Sequence, residues 1–180
     1  MAARLLFSFL LILLVGSHGA FASVEETCAK ATKGSERKNL ESFCVTTLQA
    51  APGSASADAK GLAAIATNLT LANYTAAVAT IKELQRRGGW SDKQQAALAT
   101  CRRRYIEALN VVHSAVHALA TGRKQAYVAE MGAVRRSATD CDDAFGGDAA
   151  AAKGEEAPLR KVNDDAENLT TMAMLIVITL

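Results

Sequence analysis

His113 and His117 stand four residues apart, the spacing that puts two imidazoles on one helix face. Such a pair holds zinc when a third protein ligand joins it. None stands at helical spacing from them, and no His lies at a ligand spacing from any Cys. In the apolar register of their segment both histidines fall outward, so a solvated face is the reading. The sequence contains no Gly-x-Ser-x-Gly, no His-Glu-x-x-His and no glycine-rich phosphate loop. An enzyme needs a convergent set of acid, base or nucleophile. The expectation is a chain that catalyses nothing and takes no metal or cofactor.

Two other groups could act by contact. Arg102-Arg103-Arg104 and Arg135-Arg136 are the densest charge clusters. They read either as a surface for an acidic partner or as a solvated basic flank, since long basic side chains commonly cover helix sides. Over the whole chain 20 Lys and Arg face 18 Asp and Glu, a net charge of +2 with histidine neutral. That is too little field for nucleic-acid binding.

The elements that must carry these residues are helices. No sustained period-two alternation appears, whereas the helical period recurs. Ser91-Asp92-Lys93-Gln94 fits a capping box. After it Leu98, Cys101, Tyr105, Ala108, Val112, Ala115 and Leu119 step by three and four, up to Thr121-Gly122. Tyr127, Met131, Val134, Ala138, Cys141 and Phe145 repeat the rule and stop at Gly146-Gly147. Pro158 fits a first helical position, and Leu159, Val162, Ala166, Leu169, Ala173, Ile176 and Leu180 continue from it. An earlier helix over 58–87 shows a stripe of Leu62, Ile65, Leu69, Ala72 and Ala76, closed by Gly88-Gly89. Four long helices with short turns predict an all-α, up-down-up-down four-helix bundle over 58–180. Two shorter helices around Gly34-Ser35 predict a helical hairpin over 23–50, joined by a linker at 51–57.

Residues 1–22 have the order of a secretory leader: Arg4, an apolar run from Leu5 to Val15, then small residues at Ala20 and Ala22. Cleavage is expected before Ser23, leaving a chain of ordinary single-domain size with no membrane segment. The apolar end, Met172 to Leu180, is too short to span a bilayer and continues a bundle stripe. In an exported chain the even set Cys28, Cys44, Cys101 and Cys141 reads as two disulfides, with three formal pairings. Cys28 with Cys44 would brace the hairpin. Cys101 and Cys141 lie on the stripes of consecutive antiparallel helices, about equally far from the Gly122 turn. Geometry therefore selects Cys28–Cys44 and Cys101–Cys141. Export also makes Asn68, Asn73 and Asn168 glycosylation candidates, each heading an Asn-x-Thr sequon.

The ordered set resembles the plant invertase/pectin methylesterase inhibitor family. Cys44-Val-Thr-Thr-Leu48, Ala57-Asp58 with Gly61-Leu62, the run Ala97 to Ala108 around Cys101, Ser137 to Phe145 around Cys141, and Pro158-Leu159 are each similar to the family's pattern. The Cys28–Cys44 interval looks like the branch of invertase-inhibitor-like members. The resemblance implies a secreted inhibitor in the apoplast or cell wall, with the vacuole as the other destination. It would act as a monomer, closing the cleft of pectin methylesterase or acid invertase in a reversible stoichiometric complex. Invertase-type members carry Pro-Lys-Phe at the turn before the third bundle helix. Here that turn reads Gly122-Arg123-Lys124-Gln125-Ala126-Tyr127, which favours pectin methylesterase. The target-contact candidates are Arg123, Lys124, Tyr127, Arg102 and Arg103. Tyr127 also falls on the core stripe, so packing competes with contact for it. A secreted helical protein with no inhibited enzyme is the reading from another class.

Overall fold

A computed structural model describes residues 23–147 and 157–180. The expected leader over 1–22 and the Ala/Gly/Asp/Glu stretch at 148–156 lie outside the described residues. The helices are α1 (Val24–Thr32), α2 (Leu40–Ala50), α3 (Ala59–Arg87), α4 (Asp92–Ala120), α5 (Lys124–Ala144) and α6 (Arg160–Thr179), with a 3-10 turn at Ser54–Ser56. Among the described residues there is no strand.

Local signals set the helix starts. Ser23 and Ser91 each close a capping box, with Glu26 and Gln94 reaching back to the cap amide. Asp58 caps α3 by accepting from Gly61 N–H at 2.7 Å. Each such cap satisfies amides that the helix itself leaves without partners. Gly88 and Gly89 both adopt positive φ, +68° and +80°, which side chains disfavour. They reverse the chain between α3 and α4. Trp90 fastens that turn by donating its indole N–H to Leu84 O at 2.7 Å, and Gln95 Nε2 donates to Trp90 O at 3.0 Å.

The four long helices form a ring in which α3 packs on α4 and α6, and α5 on the same two. The expected stripes of α4 and α5 are buried, apart from a half-buried Phe145. In α6 the stripe holds through Ile176, with Val162 half-buried, and ends before Leu180, which is exposed. Pro158 lies in a turn, and α6 begins two residues later at Arg160.

The stripe on α3 differs from expectation. Ala72 and Ala76 are exposed, and Ile65 and Leu69 only half-buried. The buried line is Leu62, Ala66, Thr70, Tyr74, Ala77 and Ile81, with Ala63, Thr67 and Val78 beside it. Polar residues can take core positions when their hydrogen bonds are met inside. Thr67 and Thr70 donate to the carbonyls of Ala63 and Ala66, four residues back. Tyr74 donates to Val134 O on α5 at 2.9 Å. Its ring lies 4.9 Å from that of Tyr105, and Tyr105 donates to Asn163 Oδ1 on α6 at 2.8 Å. These bonds fix the helices in register as well as in contact.

Both disulfides form as expected, Cys28–Cys44 and Cys101–Cys141, with Cα separations of 5.8 and 4.5 Å. The second joins α4 to α5. The first joins α1 to α2, and α1 lies mainly along α6 rather than standing free. Lys30 on α1 donates to Thr179 O at 3.0 Å, and Arg37 pairs with Glu167 on α6. The hairpin is thus docked on its own bundle.

Candidate functional site

Two surfaces carry the contact candidates: the α4–α5 turn, and the flank of α4 that faces α3. The turn is built by Gly122 at φ +70° and by Arg123 N–H donating to Ala118 O at 2.8 Å. Arg123 is exposed, its Nε bonded to Thr121 Oγ1 at 3.1 Å. Lys124 instead reaches across to α6, donating to Ile178 O at 2.7 Å. With Lys30 it supplies two ammonium donors to carbonyls at the end of α6, where unpaired carbonyls concentrate negative charge.

Tyr127, a contact candidate, does not reach the surface of the fold. It is fully buried, and its hydroxyl lies 2.7 Å from Thr67 Oγ1. Burial pushes its pKa up to about 12 against that hydrogen bond. The position faces inward because it begins the α5 stripe, and a ring that size fills core volume. The turn therefore presents no aromatic tip in this fold.

The α3–α4 flank is different. Arg102 and Arg103 are exposed and line a shallow depression with Gln85, Ala99, Ile106 and Glu107. Ile106 is 41% exposed, one of few large apolar side chains open to solvent. Glu107 lies 3.7 Å from Arg103 and 3.3 Å from Arg104. Arg104 turns the other way, with Nε 3.1 Å from Asp140 on α5. Among the described residues Arg102 has no acidic partner. At the end of α3, Glu83 alone serves both Arg86 at 2.8 Å and Arg87 at 3.0 Å, and their hydrogen bonds hold its carboxyl below the usual range. One carboxylate for two guanidiniums leaves this end positive. The flank is thus a small apolar spot with a cationic rim, a composition found in interfaces.

His113 and His117 are exposed on α4. Among the described residues no group of three His, Cys, Asp or Glu is placed to hold a metal. Asn68 is exposed on α3, whereas Asn73 on α3 and Asn168 on α6 are half-buried. Sequence reasoning missed Ile106 and Gln85, which flank the arginines. It also missed Lys30, whose partner is a backbone carbonyl that leaves no mark in the sequence.

The fold and these surfaces define a disulfide-braced helical bundle that offers faces for binding. The family model for plant invertase/pectin methylesterase inhibitors matches residues 22–176, and the chain belongs to that family. Its fold is similar to that of a mutant form of a pectin methylesterase inhibitor from Arabidopsis, with TM-score 0.68 and 23% identity over 88% of this chain and 98% of that one. Another solved structure, of a pectin methylesterase inhibitor from Arabidopsis thaliana, gives TM-score 0.60 and 19% identity over 86% of this chain and 95% of that one. No curated protein matches the chain significantly.

Proposed function

We propose that this chain is a secreted inhibitor of a plant cell-wall enzyme, pectin methylesterase being favoured. It would act as a monomer, occluding the enzyme's cleft reversibly and one to one. A braced bundle presents a preformed face, so docking orders little and loses little entropy. The observation that carries the choice of target is the occupied α4–α5 turn. Lys124 is bonded to Ile178 O and Tyr127 to Thr67, so the cation and aromatic that could replace Pro-Lys-Phe are already used within the fold. Exposed and cationic, Arg102 and Arg103 beside Ile106 then form the favoured contact surface. Rim charges steer association and make it sensitive to salt. The competing acid-invertase reading keeps Arg123 as the exposed turn cation that is not bonded across to α6. Titrating the oxidised mature protein against a plant pectin methylesterase and a plant acid invertase in parallel tests the proposal. Loss of methyl-ester hydrolysis alone supports it, and loss of sucrose hydrolysis alone overturns it.

A further inference from the structure

The same α3–α4 face carries a second exposed apolar residue, Val116, 37% exposed and ten positions along α4 from Ile106. Val116, Ala64, Leu119 and Ala120 line a depression of about 160 Å³ on this part of the face. That is room for roughly five waters at ~30 Å³ each, the scale of one sugar ring. Asn68 lines it too, with its side chain exposed. The other sequons are less open. Asn73 is half-buried, and its Oδ1 is enclosed without a donor. Asn168 is half-buried on α6.

We propose that Asn68 is the site of N-glycosylation, and that the first sugar of this glycan lies over the depression at Val116. The proposal rests on the reading that the chain is exported. The donor is an oligosaccharide carried on a lipid diphosphate. Asn68 Nδ2 bonds to its anomeric carbon as the carbon–oxygen bond to diphosphate breaks. The electron pair leaves with the diphosphate, and the amide proton passes to a base of the transferase. Thr70, the third sequon residue, is fully buried and donates to Ala66 O at 3.0 Å. Transfer therefore precedes the packing of α3, while the segment is still extended. After folding, Asn68 emerges where the glycan costs no core contact, and the carbon–hydrogen face of the sugar covers apolar surface otherwise left to water. Val116 would then be screened, leaving the Arg102–Ile106 part of the face open for a partner.

The test expresses the full chain in eukaryotic cells, behind its own leader and behind a foreign secretion leader. Peptide N-glycosidase converts each occupied Asn to Asp, which peptide mass mapping locates. Behind the foreign leader, Asn68 is expected to be the predominant occupied site. An unmodified Asn68, or preferential occupancy of Asn73 or Asn168, overturns the assignment. A chain glycosylated at Asn68 behind the foreign leader but retained in the cell by its own would sink the export reading while supporting the site. Removing the glycan from the folded protein should lower Tm by about 2–4 °C, beyond the difference between unglycosylated wild type and unglycosylated Asn68→Asp, which measures the Asn-to-Asp change itself. Val116→Ser should shrink that loss of Tm. An unchanged Tm on glycan removal overturns the contact with Val116.

Discussion

Tyr127 donates its hydroxyl to Thr67 across the α3–α5 core. The direction follows because the single Thr67 proton is committed to Ala63 O at 2.7 Å, which leaves Thr67 Oγ1 to accept at 2.7 Å. A residue at the edge of the candidate turn thus works inward. Tyr127→Phe should cost about 1 kcal/mol, the net worth of one buried hydrogen bond, and Tyr127→Ala about 3–5 kcal/mol through the cavity it leaves. Urea unfolding measures both. Inhibition by the folded Phe variant should be unchanged, and a loss there would return Tyr127 to the contact surface.

All three tyrosines of the sequence, Tyr74, Tyr105 and Tyr127, are buried. Burial raises the pKa of each, that of Tyr127 to about 12 from 10.0. The unfolded chain loses these protons first, so their contribution to stability is full below about pH 10. It declines as pH rises toward each folded value. Absorbance near 295 nm (tyrosinate) should therefore stay flat through pH 10 and rise together with loss of helical circular dichroism. A tyrosinate signal growing in a still-folded protein would contradict the buried network.

The two disulfides close loops of different length, with sequence separations of 16 and 40. By loop entropy, removing Cys28–Cys44 should cost about 3 kcal/mol and removing Cys101–Cys141 about 4 kcal/mol. The local effects should differ as well. Cys28→Ala with Cys44→Ala should raise hydrogen exchange first in α1 and α2, which stay held by Lys30, Arg37 and the packing of Val24, Ala31, Leu40 and Leu48. Uniform exchange across the six described helices would argue against a separately braced hairpin.

Reversing the flank charges with Arg102→Glu and Arg103→Glu should weaken inhibition by about tenfold and reduce its salt dependence, since rim charges act chiefly on association. Arg123→Ala should change little. The opposite pattern would move the contact surface to the α4–α5 turn.

The α4 and α5 stripes were legible because apolar side chains occupy nearly every inward position, with a capping box to start α4 and glycines after each helix. The α3 stripe was not. Alanine lies on both its faces, so Ala66 (buried) and Ala72 (exposed) look alike in the sequence, and three inward positions are Thr67, Thr70 and Tyr74. Helical spacing could not reveal that these hydroxyls find partners inside. The hairpin's docking was hidden for a related reason: Lys30 bonds a carbonyl, and Arg37 finds Glu167 some 130 positions away. Arg102 and Arg103 were legible as outward residues. That Ile106 shares their depression follows only from how α3 lies against α4.

The most direct measurement of the central claim is titration of a plant pectin methylesterase with the oxidised mature protein, with an acid invertase in parallel, across about pH 4.5 to 7. The account predicts that ester hydrolysis falls to a one-to-one end point and recovers on dilution, while sucrose hydrolysis is unaffected. Inhibition of invertase alone would transfer the function to the Arg123 turn. Inhibition of neither enzyme would contradict the proposed function and leave a helical binding protein whose partner is a different molecule.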